Sequence, residues 1–268
     1  MDPSAQSVIE VKELVKRFGD LTVLDGINVA LPRGKITVIM GGSGCGKTTL
    51  LRHLVGLCQP TSGDIFVDRV NIAGLKEKDM NKVRRKFGML FQGSALFNSI
   101  TVGENVAVPL KEHTDLSPEI IKIIVRVKLE LVGLTGFEDF MPHQISGGMK
   151  KRVALARAIS LDPRIVFYDE PGAGLDPITA SMIDRLILDL SKKLNITSVV
   201  VSHEMKSAFR IADQIIILHK GKVLQVGTAE EIKNSKNSYV QQFIQGESEG
   251  VIPFKQTSEA YLKGLLST

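Results

Sequence analysis

Apolar positions along this chain follow two rhythms, and the switches between them mark out the elements. Residues 8–14 alternate apolar with polar, the pattern of a strand with one buried face, and residues 15–20 lead into a turn. Residues 23–31 give a second strand that stops at Pro32-Arg33-Gly34, so an antiparallel sheet opens the chain. Residues 36–40 differ: they are a β-branched, uncharged run, as expected of a parallel strand covered on both faces. Leu50 to Val55 follows with the look of a helix, and Thr61-Ser62-Gly63-Asp64 reads as a turn into residues 65–68. Residues 87–92, 164–170 and 197–204 are further apolar runs, each ending in polar side chains.

From residue 93 to about 161 the rhythm turns helical. Ser117 is an N-cap, Pro118 takes the first helical position, Glu119 supplies an acid to the first turn, and Gly133 is the stop. Ser146-Gly147-Gly148 heads an alanine-rich helix, and Asp162-Pro163 breaks the chain before the next strand. Gly174-Leu175-Asp176-Pro177 is a turn that starts a helix running to about Leu194. Strands alternating with helices after an antiparallel start predict an α/β fold with an inserted helical arm.

Composition narrows the setting. A chain of 268 residues, 43% apolar with a mean hydropathy of +0.10, is enough for one large α/β domain or a domain with an appendage. No uninterrupted apolar stretch reaches the roughly 18 residues that crossing a bilayer requires, and residues 1–7 lack the basic and apolar parts of a secretion signal. These features predict a cytosolic protein. Cys45 and Cys58 make no metal-ligand pattern, and no disulfide is expected. The net charge of +5 is spread among interspersed acids, without a long basic block, so a mixed solvated surface is expected rather than a nucleic-acid patch. The basic cluster at residues 82–86 reads as part of that surface.

The chemistry gathers where the apolar runs end. Gly41-Gly42-Ser43-Gly44-Cys45-Gly46-Lys47-Thr48-Thr49 follows a buried strand and precedes a helix, and it fits G-x-x-x-x-G-K-[ST]. Glycines let successive N–H groups turn inward onto phosphate oxygens, and the helix N-terminus adds partial positive charge. Lys47 would neutralise β- and γ-phosphates, and the Thr48 hydroxyl would take a position on Mg²⁺. Gln92 falls at a carboxyl edge of the sheet, either as a ligand of Mg²⁺ or the attacking water, or as a simple polar cap. Asp169 is placed to hold Mg²⁺ and Glu170 to take a proton from water. His203 ends a further strand of the same sheet. Ser146, Gly147 and Gly148 form a second anion-binding helix head. Phe18 either stacks on a base or packs in the core. The Cys45 thiol is either activated by the helix N-terminus, and then sensitive to maleimide and protected by MgATP, or buried against the sheet.

Taken together, the motifs over residues 8–239 resemble those of the ATP-binding subunit of an ABC transporter. Residues 41–48 are similar to Walker A, Gln92 to the Q-loop and Ser146-Gly147-Gly148 to the signature. Residues 165–169 with Glu170 resemble Walker B and the catalytic glutamate, residues 174–176 the D-loop with Asp176, and His203 the switch histidine. Phe18 stands where the family places an aromatic against adenine. Met149 departs from the family, which mostly carries glutamine there. The resemblance implies a P-loop NTPase core with an antiparallel β subdomain and a helical subdomain at about 93–161. It also implies ATP and Mg²⁺ as cofactors, and a head-to-tail homodimer in which each ATP lies between one Walker A loop and the partner's signature.

A narrower resemblance joins Met149 to residues 91–99, 101–107 and 239–254: these look like the ATPase of the Mla type, the MCE-associated phospholipid transporters. That implies phospholipid movement across the envelope to maintain outer-membrane lipid asymmetry. It implies a peripheral place on the cytoplasmic face of the inner membrane, a permease dimer, a periplasmic MCE-domain protein and a STAS-domain partner. It further suggests a division into an ATPase domain at 1–238 and an extension at 239–268 that reaches the partner protomer. Two alternatives stay open, an ATPase for a small-solute importer and a soluble ABC protein that does not transport.

Overall fold

The computed structural model describes residues 7–247. In chain order the elements are β1 (Ser7–Phe18), β2 (Leu21–Pro32), β3 (Ile36–Gly41), α1 (Lys47–Leu54), β4 (Ser62–Val67), β5 (Val70–Asn71), α2 (Glu77–Arg84) and β6 (Phe87–Leu90). They continue with α3 (Val102–His113), α4 (Pro118–Leu131), α5 (Gly147–Ala158), β7 (Ile165–Asp169), α6 (Pro177–Lys193) and β8 (Thr197–Val201). Last come α7 (Met205–Ile211), β9 (Gln214–His219), β10 (Lys222–Gly227), α8 (Ala229–Lys233) and α9 (Ser238–Gln245).

Two sheets carry the fold. An antiparallel sheet has the order β2-β1-β4-β5, and a larger one the order β10-β9-β3-β8-β7-β6. In the second, β9, β3, β8, β7 and β6 run parallel, and only β10 is antiparallel, at the edge. Every residue of β3 and β8 is buried, which is why those segments read as apolar runs rather than as alternations. The alternation is still present, split between two cores. Val38, Met40, Val166, Tyr168 and Val200 face one cluster, shared with the helical arm. Ile39, Ile165, Phe167, Val199 and Val201 face the other, with α1 and the antiparallel sheet. Thr37 interrupts the β3 run without cost because its hydroxyl donates to Gln214 Oε1 at 3.1 Å.

Register sets the functional edge. Ile39 pairs with Val201, Val201 with Asp169, and Tyr168 with Leu90. The carboxyl ends of β3, β8, β7 and β6 are therefore level within about a residue or two of one another, and their loops open on one side of the sheet.

Four local readings of the sequence are refined. The first strand runs on past Leu14 to Phe18 before the turn at residues 19–20, because a bulge at Glu13 (φ +47°) breaks the alternation without ending the strand. The Glu13 N–H donates to Asn28 Oδ1 at 2.9 Å. Its carbonyl presses on Gly63, where any Cβ would collide with it, so Gly63 belongs to strand β4 and not to a turn. The basic cluster at residues 82–86 is partly a helix end. Arg84 of α2 is paired with Glu77 and donates to the Gly56 carbonyl at 2.7 Å. The helical arm itself begins at Val102, after a loop in which Ser94 and Ala95 take φ of +62° and +48°.

Candidate active site

The phosphate loop is built by close approach. Gly41 has φ +149°, and a Cβ there would strike the Leu218 carbonyl and the Cys45 sulfur. Gly46, left-handed at φ +106°, caps α1 without a side-chain bond, so the first amides of that helix point into the loop with no acid among them. Lys47 is buried, and its Nζ donates to the carbonyls of Gly41 at 2.8 Å and Gly42 at 3.0 Å. Ser43, Gly44 and Thr48 are exposed at the mouth of the loop, with Thr49 half-buried behind them.

Beside the loop stands the carboxylate pair. Asp169 ends β7 with its Oδ1 fully buried and, among the described residues, without a hydrogen-bond partner. Burial first, and then the Glu170 charge, push its pKa up, while Arg52, Lys151 and Lys47 pull it down. A buried carboxylate oxygen left open, within the field of Lys47, and the exposed Thr48 next to Lys47 in the chain are the hard-oxygen donors that suit Mg²⁺. Glu170 takes φ +50°, a strained setting for a non-glycine residue, held by its N–H donating to Val201 O at 2.9 Å. Its side chain lies against His203, whose Nδ1 is 2.5 Å from Glu170 Oε2. A pocket of about 210 Å³ opens there, lined by Glu170, Gly172, Ser202, His203 and Glu204.

Lys47, Asp169, Glu170 and His203 are thus gathered at the sheet edge. The Gln92 side chain is exposed on its loop. Ser146 caps α5 by accepting from the Met149 N–H at 3.3 Å, and Asp176 caps α6 by accepting from Ile178 and Thr179, each at 3.0 Å. Gly148 is needed where it is, since a Cβ would stand 2.5 Å from the Thr179 methyl at the head of α6. Of the two readings of Phe18, the ring is exposed and not in the core, with Lys16 Nζ 4.9 Å from its centre. Of the two readings of Cys45, the buried one holds. Burial raises its thiol pKa, and the nearby Lys47 offsets that only in part, so the activated thiol is overturned.

Sequence reasoning passed over groups that hold this edge together. Lys151, on α5, is buried and donates to the backbone carbonyl of Gln92 and, at 3.5 Å, to that of Glu170. Arg157, on the same helix, donates to the carbonyls of Ala95 and Ser94, each at 2.8 Å. Both sit in a basic, alanine-rich helix whose charges read as solvated, and nothing in the spacing says which of them turn inward. Tyr239 of α9 lies over His219, ring centres 3.9 Å apart, with its hydroxyl beside Gly42 of the phosphate loop. A further cleft of about 840 Å³ lies elsewhere, between β6, the Gln92 loop and α3, and is lined by Met89, Phe91 and Phe97 with Arg84, Arg85 and Glu112.

Comparison with known proteins follows the same lines. The profile of the family described as "ABC transporter" matches residues 24–173. "Intermembrane phospholipid transport system ATP-binding protein MlaF" of Haemophilus influenzae is 45% identical over 260 residues, 97% of this chain and 98% of its own. The protein of the same name from Escherichia coli K12 is 41% identical over 266 residues, 99% of each chain. A Mycobacterium leprae protein named "Probable ribonucleotide transport ATP-binding protein mkl" is 38% identical over 94% of this chain and 72% of its own. Among solved structures, the dimeric post-hydrolysis state of the ATP-binding cassette MJ0796 bound to ADP and Pi superposes with a TM-score of 0.76 at 31% identity, covering 82% of this chain and 98% of that one. The cbiO1 structure from Clostridium perfringens, part of the ABC transporter complex cbiONQ, gives 0.80 at 32%, covering 86% and 92%.

Proposed function

The chain belongs to the ABC transporter family, and on that premise we propose that it is the ATP-hydrolysing subunit of a transporter moving phospholipid across a cell envelope. What carries the reading is the gathering of Lys47, Asp169, Glu170 and His203 at one sheet edge. It occurs in a chain whose likeness to a protein named for intermembrane phospholipid transport runs along 97% of its length. In this reading the phosphate loop takes the ATP tail, and Lys47 exchanges the carbonyls of Gly41 and Gly42 for phosphate oxygens. Thr48, Asp169 and the Gln92 side chain would hold Mg²⁺, which neutralises charge on the β- and γ-phosphates. Glu170 accepts the proton of a water whose oxygen bonds to the γ-phosphorus as the bond to the bridging oxygen breaks, releasing ADP and phosphate. His203 donates to Glu170 and orients it.

The working unit is a homodimer with the head of α5 closing on the partner's ATP, which accounts for a second anion-binding helix head away from the phosphate loop. Among the described residues no helix is long and apolar enough to cross a membrane. Membrane work therefore falls to a permease dimer, with the ATPase peripheral on the cytoplasmic face of the inner membrane. The cleft beside Phe91 and Phe97 suits a cytoplasmic segment of that permease, because it is open, exposes both rings among basic side chains and adjoins the Gln92 loop. An MCE-domain protein and a STAS-domain protein complete the assembly. The test is to express the full chain with its permease, purify the complex and identify bound lipid by mass spectrometry. Phospholipid in the complex, and ATPase activity that responds to phospholipid vesicles, is the expected result. Activity that answers to a soluble solute and ignores lipid sinks the lipid reading in favour of the importer.

We also propose the division into an ATPase domain at 1–238 and an extension at 239–268. Helix α9 opens that extension and packs Val240 into the core. Residues 248–268, which the sequence reading sends to the partner protomer, lie outside the described residues. Truncation after Gly246 is expected to weaken the dimer, so that ATPase rate per protomer falls on dilution far sooner than in the full chain. Superimposed rate-against-concentration curves, with normal permease assembly, would make the tail dispensable.

A further inference from the structure

Lys151 is an unusual lysine. Its side chain is 4% exposed, inside a protein whose other charges are mostly solvated. Its ammonium does not end on a carboxylate. It donates to the main-chain carbonyl of Gln92 and, at 3.5 Å, to that of Glu170. Those carbonyls belong to two loops from different strand ends, after β6 and after β7, and no backbone pairing continues the β6–β7 ladder past Leu90 and Tyr168. Lys151 itself comes from a third place, just over one turn beyond Ser146 on α5.

The charge has a reason to be there. Burial pushes the Lys151 pKa down, and the Asp169 and Glu170 carboxylates pull it back up. In return, Lys151 lowers the cost of ionised Asp169. A neutral residue that filled the same space would leave both carboxylates and both carbonyls less satisfied.

We propose that Lys151 is a positioning residue for ATP hydrolysis, a clasp by which the helix headed by Ser146 holds the Gln92 loop and the Glu170 turn in one arrangement. The proposal rests on the ATPase reading above. In the head-to-tail dimer, Ser146 meets the ATP of one site while Lys151 sets Gln92 and Glu170 of the other. A shift of α5 on engaging nucleotide is then passed to the base of the opposite site through a single side chain.

The test is steady-state ATPase of the full chain assembled with its permease, comparing K151M, K151Q and K151R with the unaltered protein and with E170Q. K151M is expected to lose about 10- to 100-fold in kcat, as misplaced catalytic groups do, with the KM for ATP within about twofold because the phosphate loop is untouched. K151R, which restores charge and donors, is expected to recover kcat to within about threefold of the unaltered chain, and K151Q, which restores a donor alone, to fall between. If K151M does not fold, the contrast of K151R with K151Q carries the same test. Wild-type kcat in K151M or K151Q overturns the proposal. So does a loss in which kcat and KM change together and Arg gives no recovery, the mark of a purely structural lysine. No ATP turnover by the unaltered complex overturns the ATPase reading and this proposal with it, full turnover by E170Q removes the base that the clasp is argued to position, and an inactive E170Q beside a fully active K151M sinks the clasp alone.

Discussion

Glu170→Gln binds MgATP like the unaltered chain and turns it over about 10²–10⁴-fold more slowly, the usual contribution of a positioned base. The substitution isolates the proton from everything else the residue does. An amide keeps the shape, the left-handed backbone at φ +50° stays as it was, and the Glu170 N–H still donates to Val201. The His203 contact also survives, because an amide oxygen accepts from Nδ1 as the carboxylate Oε2 does. Only the ability to take a proton from water is gone. Since hydrolysis is what reopens the dimer in this reading, the variant should collect as an ATP-bound dimer, visible as an earlier gel-filtration peak that needs MgATP. Near-normal turnover would remove Glu170 from the role and leave the strained turn at β7 without an explanation.

Much of this was legible in the sequence because the site is made of strand ends. A parallel strand buried on both faces has to be a continuous apolar run, so β3, β7 and β8 announced themselves, and the first polar residue after each run was necessarily at the edge. Caps were equally plain: Ser117, Ser146 and Asp176 act on the amides the sequence implied. What escaped was whatever depends on residues far apart in the chain. The bulge at Glu13 is explained by Asn28 and Gly63, and a period-two pattern simply stops there. Cys45 sits at a helix N-terminus, which argues for a reactive thiol, yet packing behind Gly41 buries it, and burial wins. Lys151 lies in a basic run next to Lys150 and Arg152, and only the placement of the Gln92 loop across α5 makes it the one drawn inward to Gln92 and Glu170. Strand β9 carries an equally plain apolar run, Ile215 to Leu218, which the sequence reading passes over, whereas helix α2 is mostly polar and gives a weak signal.

Asp169→Asn should make the nucleotide-free protein more stable and the enzyme nearly inactive. Burial and the neighbouring Glu170 raise the Asp169 pKa, and its Oδ1 has no hydrogen-bond partner among the described residues. A carboxyl that holds its proton more tightly folded than unfolded makes the folded state the proton-richer one, so this group's contribution weakens the fold as pH rises through the ordinary carboxylate range and beyond. At pH 7 to 8 the ionised group is at its most costly, and an uncharged amide removes that cost. The melting temperature without nucleotide should therefore be higher for Asp169→Asn, and the gap should shrink as pH falls through the carboxylate range and close below about 3, where the carboxyl is largely protonated in both states. Activity moves the other way. Asparagine is a poorer ligand for a hard cation, and losing the several kcal/mol of charge stabilisation a metal supplies lowers ATPase by at least about 10²-fold. Adding MgATP then inverts the order of stability. Ligand binding stabilises the folded state by about RT ln(1 + [L]/Kd), so the unaltered chain gains where the variant does not. Two melts decide the matter, one with EDTA and one with saturating MgATP. If Asp169→Asn melts lower in both, the carboxylate is a structural support of β7; if it melts higher with EDTA and lower with MgATP, Asp169 is a metal ligand kept at the expense of the fold.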